Sequence, residues 1–226
     1  MAKLTKRQKQ INELIDKSKS YNLDEAVSII KKFPKLKFDE SLELSFNLNI
    51  DSKQSDQLVR GTLILPHGTG KETKVLVFCK GEDVKTAKDA GADYVGSDDL
   101  VQKISGGWLD FDAVVATPDM MKDISKLGKV LGPRGLMPSP KAGTVTKDIS
   151  KAVKELKSGK VEFKTGKDGN VYLAIGKVSF EEKALVENAR LVIDTIKKSR
   201  PVAVKGTYIK SIYISTTMGA GIQLNP

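Results

Sequence analysis

Scarcity narrows this 226-residue chain before any motif is considered. It holds a single cysteine, Cys79, so no disulfide can close within the chain and no cysteine cluster can bind a metal. Cys79 follows the apolar run Val75-Leu76-Val77-Phe78, which marks it as a buried structural thiol. There is one histidine, His67, which excludes every site that needs two. A lone histidine also leaves no ready Ser-His-Asp or Cys-His pairing, and its Pro66-His67-Gly68 setting suggests a turn. No apolar run approaches the roughly 18 residues of a bilayer-spanning helix, so no membrane partner is expected. The start, Met1-Ala2-Lys3-Leu4-Thr5, has neither the apolar core of a signal peptide nor the acid-poor length of a transit peptide. The product is expected to stay in the compartment where it is made.

What is abundant is positive charge. Thirty-eight Lys and Arg face 28 Asp and Glu, a formal net charge of +10 with a pI near 9.4. Such a surplus favours a polyanionic partner, nucleic acid ahead of membrane; the alternative is a merely soluble basic surface.

The apolar pattern changes rhythm twice. Residues 5–19 read as a basic helix with Ile11, Leu14 and Ile15 on one face. Asn22 with Glu25 three residues later has the shape of a helix start, and Pro34 stops that helix. Ser41 to Ile50 alternates strictly, placing Leu42, Leu44, Phe46, Leu48 and Ile50 on one side of a half-buried strand, and a second strand follows near Thr62 to Leu65. Val75–Phe78 and Ala113–Ala116 are instead short continuous apolar runs, separated by helical stretches from about Asp83 and Asp98. Thr117-Pro118 opens a further helix with proline in its first turn. That spacing indicates βαβ units and a small parallel sheet. After Ser158-Gly159 alternation returns: Val161–Thr165 and Val171–Ile175 read as a hairpin closed by Gly166-Lys167-Asp168-Gly169. A helix from about Glu181 to Lys198 and a strand from Thr207 to Ser215 complete the pattern.

The fold expected is therefore α/β with two domains. Residues 1–67 with 161–226 form a discontinuous α+β domain with a largely antiparallel sheet, and residues 68–160 form an inserted Rossmann-like βαβ domain. The alternative is one mixed sheet without a hinge. The flanking part carries 22 basic and 15 acidic residues, net +7, against 16 and 13, net +3, for the insert. A polyanion should prefer the discontinuous domain.

Several enzyme-like motifs fail on inspection. In Leu65-Pro66-His67-Gly68-Thr69-Gly70-Lys71-Glu72, Leu65 stands where a phosphate loop needs glycine, and Glu72 where it needs a magnesium-binding hydroxyl. Gly219-Ala220-Gly221 lacks the third glycine of a dinucleotide fingerprint, because Leu224 occupies that place. Asp98-Asp99 and Asp110 with Asp112 fit a helix cap and a solvated loop better than a cation site. No cofactor and no metal are expected, and the protein is read as a binder without enzymatic activity.

Two segments resist dismissal. Gly128 to Thr144 packs four glycines and three prolines around Lys129, Arg134 and Lys141. Such a loop either presents those cations to phosphate or serves as a structured crossover. Ser215-Thr216-Thr217-Met218-Gly219 ends a strand in hydroxyls, a flexible apolar side chain and a bare backbone, which suit close approach to ribose and phosphate.

On these segments the chain resembles the ribosomal protein L-one family. The likeness includes Gly128 to Thr144, the stretch Asp51 to Lys71 with Lys53, Ser55-Asp56-Gln57 and Val59-Arg60-Gly61, the run Asp110 to Asp119, and Ser215 to Gly219. It extends in order over nearly the whole chain. The resemblance implies a cytoplasmic protein of the large ribosomal subunit, monomeric off the ribosome, bound to large-subunit ribosomal RNA at the mobile stalk. It further implies contact with transfer RNA at the exit site, help in releasing deacylated transfer RNA, and repression through its own messenger RNA. The RNA-binding residues it implies are Lys37, Phe38, Ser41, Ser211, Thr217, Met218 and Gly219, with Lys164 and Lys167 beside the expected hairpin. Thr165-Gly166-Lys167-Asp168 departs from the family's usual Asn-Asp-Lys turn, and Phe38 could instead be a core aromatic at the strand entrance.

Overall fold

The computed structural model describes residues 4–54, 56–81 and 83–225, so Met1 to Lys3 and Ser55, quoted above, lie outside the described residues. In chain order the elements are α1 (Lys6–Leu14), α2 (Leu23–Lys31), β1 (Ser41–Leu48), β2 (Arg60–Ile64), β3 (Val75–Phe78), α3 (Asp83–Asp89), β4 (Tyr94–Gly96) and α4 (Asp98–Ser105). They continue with β5 (Ala113–Ala116), α5 (Met121–Ile124), α6 (Gly128–Leu131), α7 (Ile149–Lys157), β6 (Lys160–Lys164), β7 (Asn170–Lys177), α8 (Glu182–Lys198), β8 (Ile209–Thr216) and β9 (Ile222–Leu224). The chain divides into two compact units, Met1–Gly70 with Val161–Pro226, and Lys71–Lys160.

In the first unit a four-stranded sheet runs β7-β1-β8-β9, with β1 antiparallel to both its neighbours. The alternation along β1 turns Leu42, Leu44, Phe46 and Leu48 into the core, where they meet Val171, Leu173 and Ile175 of β7 and Ile212 and Ile214 of β8. Helices α2 and α8 pack on that same face and close the core with Val27, Ile30, Leu185, Ala189, Val192 and Ile196. Asn188 is the polar exception within α8. Its amide donates to the carbonyls of Ile175 at 2.8 Å and Gly68 at 3.1 Å, and its oxygen accepts from the His67 amide at 3.2 Å. The Pro66-His67-Gly68 turn is thus pinned to the core by a fully satisfied buried side chain.

The second unit is a three-stranded parallel sheet ordered β4-β3-β5. All four residues of β3 are buried, because helices cover both faces of the sheet as parallel strands require. Cys79 lies on the core side and burial pushes its thiol up from the ordinary value, so it behaves as a small apolar filler. Asp110 and Asp112 pair with Lys74 at 2.7 Å and Lys71 at 2.5 Å, and the Lys71 ammonium holds the Asp112 carboxyl below its usual range.

Three sequence expectations need correction. Helix α1 stops at Leu14 rather than reaching residue 19; Ile11 and Ile15 are buried while Leu14 is exposed. Its start is a capping box between Thr5 and Gln8, and its end is an extended Ile15. The strands flanking Gly166–Gly169 do not pair with one another: β6 pairs with β2 in a separate two-stranded sheet, while β7 joins β1. The glycine turn therefore redirects the chain from one sheet to the other, and Gly169, at φ 75°, supplies the bend. The second strand is shifted to Arg60–Ile64.

Tyr208 carries a buried hydroxyl with no hydrogen-bond partner among the described residues, and burial pushes its phenol from 10.0 up to about 12. The folded state holds this proton more tightly than the unfolded chain. The associated stability is intact below pH 10 and drains as pH rises towards about 12. Tyr208→Phe removes both the unpaired group and this loss. Urea unfolding should find the variant no less stable than the parent near neutral pH. At a pH one unit above the ordinary phenol value, its advantage should grow by about 1 kcal/mol. An advantage that does not grow with pH would contradict the assignment.

Candidate nucleic-acid interface

Strand β1 places even-numbered residues in the core, and the residue before its first is Glu40. Glu40 is buried although charged. Its Oε1 accepts from the Thr216 hydroxyl at 3.0 Å and from the Met218 amide at 2.9 Å; its Oε2 accepts from Arg7 Nη2 at 2.6 Å. The Arg7 guanidinium reaches on, donating from Nη1 to the Met218 carbonyl at 2.6 Å and from Nε to the Pro34 carbonyl at 3.1 Å. One ion pair therefore fixes three separate pieces of chain: α1, the loop before β1, and the segment after β8. Desolvating both charges is costly, and only this nearly complete set of charge-assisted bonds offsets it.

Around this pair the expected residues fall into place. Ser41 and Thr217 continue the ladder beyond β8: the Thr217 amide donates to the Ser41 carbonyl at 3.1 Å, and the Ser41 amide to Thr217 Oγ1 at 3.0 Å. Lys177 Nζ donates to Ser41 Oγ at 2.8 Å. Gly219 donates to the Thr216 carbonyl at 3.1 Å, and a Cβ there would run into the Thr216 hydroxyl and the Phe33 ring. Met218 is 60% exposed and Phe38 is 52% exposed, so Phe38 is not a core aromatic. Lys37 and Phe38 line a groove of about 570 Å³ shared with Lys31, Lys35, Asp39 and Ser179. Lys31 Nζ shapes it by donating to the carbonyls of Val178, at 2.5 Å, and Phe180.

The structure brings Lys37, Phe38, Ser41, Thr217, Met218 and Gly219 together at one end of the sheet. It does not bring the other three there. Ser211 pairs with Asn47 near the opposite end of β1, and the turn holding Lys167 leads into β7 beside it. Six residues of extended chain separate Ser211 from Thr217, about 20 Å. Lys164 lies on the second, two-stranded sheet, exposed at the end of β6. In the other unit, the Gly128–Thr144 loop is a structured crossover. Ser139 and Thr144 close it by mutual hydrogen bonds, and Lys129, Arg134 and Lys141 are all exposed.

Sequence reasoning missed Arg7 and Glu40. The signal was present: Glu40 extends the core-facing parity of Leu42 and Leu44, and an acid in that register requires a buried partner.

The chain is similar to known proteins over its full length. Residues 30–220 match the family described as "Ribosomal protein L1p/L10e family". The "Large ribosomal subunit protein uL1" of Protochlamydia amoebophila is 54% identical over 225 residues, covering 100% of this chain and 95% of that protein. The protein of the same name from Thermosipho melanesiensis is 54% identical over 227 residues, covering 100% of this chain and 98% of its own length.

Replacing Glu40 by Gln turns an amide nitrogen towards either Arg7 or the Thr216–Met218 pair. The loss should be about 3 kcal/mol of folding stability, read by denaturant or thermal unfolding. Arg7→Met combined with Glu40→Gln should lose markedly less than the sum of the two single changes. Additive losses would mean that the pair does not couple these segments.

Proposed function

Because the chain belongs to the ribosomal protein L1p/L10e family, we propose that it is a constituent of the large ribosomal subunit that holds large-subunit ribosomal RNA at the mobile stalk beside the transfer-RNA exit site. The observation that carries this reading is the end of the first unit's sheet. There Phe38 and Met218 are exposed on a backbone made rigid by the buried Arg7–Glu40 pair, with Lys37 alongside. A rigid, partly apolar surface of this kind reads the shape of a folded RNA, whose A-form helices hide their base edges, while lysines supply the phosphate attraction.

Function is binding, with no bond made or broken, and the protein is monomeric off the ribosome. The discontinuous part, residues 1–67 with 161–226, carries the RNA and the larger positive charge, net +7 against +3. Lys37, Lys164 and Lys167 meet phosphates, and Ser211 and Ser41 meet ribose hydroxyls. Phe38 and Met218 pack on the sugar–base surface, and Gly219 lets the backbone approach. Thr217 acts differently from a free hydroxyl, since its Oγ1 already accepts from Ser41 and it serves to hold Met218 in place. The same surface binds a similar fold in the protein's own messenger RNA, giving repression, and the bound protein assists departure of deacylated transfer RNA.

Binding of a stalk-RNA transcript, measured against ionic strength, should give log K falling linearly with log salt, at roughly −0.7 to −0.9 per phosphate neutralised. Lys37→Ala should flatten that slope by about one unit or less. A salt-independent constant would rule out the electrostatic half of the proposal.

Met218→Ala separates shape from charge, because its side chain is exposed and only its backbone is bonded. It should weaken binding by roughly 5- to 30-fold, with slope and melting temperature unchanged. Undiminished affinity would take Met218 out of the contact.

A further inference from the structure

Lys164 apart, the expected contacts sit at the two ends of one sheet, and what lies between them is unassigned. Helices α2 and α8 cover only the core face. On the other face the odd-numbered residues of β1 point outward, as do Ser211, Tyr213 and Ser215 of β8 and Tyr172 and Ala174 of β7. Reading along β8, Ser211, Tyr213, Ser215 and Thr217 form one outward line that joins the two ends. At its middle, Ser45 of β1 pairs with Tyr172 on one side and Tyr213 on the other. Tyr172 is 63% exposed and Tyr213 39%, so both rings stand on open surface. With strands about 4.8 Å apart, their backbones lie about 10 Å from each other, and only the small Ser45 side chain stands between.

Large apolar rings left in water on a solvent-facing sheet need a reason, and here their neighbours supply one. The rows on either side carry no large apolar side chain: Asn170, Asn47 and Ser211 towards one end, Ala174, the acidic Glu43 and Ser215 towards the other. Lys210 is exposed beside Ser211, and Lys177 stands next to Ser41 at the far end. Hydroxyls for ribose, flat rings for bases and a cation at each end are the parts of a nucleotide-stacking sheet. An RNA that touches both Ser211 and Thr217 must cross this row, a path of about 20 Å. A protein partner would instead favour a continuous apolar patch, which the serine and asparagine rows interrupt.

We infer that the open face of the β7-β1-β8 sheet is part of the RNA site, with Tyr172 and Tyr213 stacking on unpaired bases of the RNA and Ser45 and Ser215 facing its riboses. This rests on the function proposed above and extends its contact surface from the sheet's two ends to its centre. It selects for RNA with an unpaired or bulged segment, since bases held in a regular duplex offer no face to a tyrosine ring.

The test uses the full chain, a transcript of the large-subunit stalk RNA and an unrelated RNA hairpin. Tyr172→Thr and Tyr213→Thr remove the ring while keeping a strand-forming residue. Each should weaken stalk-RNA binding by roughly 5- to 150-fold at unchanged melting temperature, and Tyr→Phe at the same positions should restore most of it. Stalk RNA carrying 4-thiouridine in its unpaired positions should crosslink to the peptide containing Tyr172 or Tyr213. Selective binding by the parent chain with both Thr variants within about twofold of it would overturn this inference and leave the proposed function standing. Equal losses from the Phe and Thr variants would also overturn it, because the ring would then not be the binding element. A parent chain that binds stalk RNA no better than the hairpin would overturn the proposed function, and this extension with it.

Discussion

The first unit depends on a carboxylate where its strand pattern calls for an apolar side chain. Glu40 continues the inward parity of β1 and is buried accordingly, yet it is compensated by Arg7, Thr216 and the Met218 amide. A buried ion pair adds little net stability compared with a well-packed apolar one. What it adds here is position. Apolar contact would hold the end of β8 against the core without fixing its rotation, whereas three directed acceptor bonds leave Met218 and Gly219 a single arrangement. The exposed residues around it inherit that order, because their backbones are bonded even though their side chains are free.

Much of the architecture was legible because burial imposes a period. Strict alternation in Ser41–Ile50 and a looser alternation in Thr207–Ser215 identified the two central antiparallel strands, and the continuous run Val75–Phe78 identified a strand covered on both faces. Where the period is too short to register, reading along the chain fails. Strand β9 has three residues, and helix α7 follows a proline-rich loop whose turns mask its start; neither was anticipated. The paired look of β6 and β7 misled for another reason. A glycine turn between two alternating segments is compatible either with a hairpin or with a corner between sheets, and the choice is made by β1 and β2, which lie more than 100 residues away.

The candidate surface was legible as a set of residue types and illegible as a shape. The family resemblance of the sequence implies Ser211 and Thr217 alike, but only strand register shows that they share a face and stand at its opposite ends. Register likewise brings Tyr172, Ser45 and Tyr213 into one row from three stretches with no shared local signal. Lys164 illustrates the converse: near Lys167 in sequence, it belongs to a different sheet.

The discontinuity of the first unit has a consequence for the order of biosynthesis. Central strand β1 leaves the ribosome early, but both its partners, β7 and β8, are translated only after the whole inserted unit, and Thr217 bonds to Ser41 across 176 positions. Domains assemble as their chain becomes available, so the insert can finish folding while β1 still lacks neighbours. Glu40 and Arg7 remain solvated until the segment around Thr216 to Gly219 has emerged. Order at this end of the sheet is thereby gated by synthesis of the chain through Gly219: a chain cut short of that residue has the basic side chains but not the bonded backbone around them.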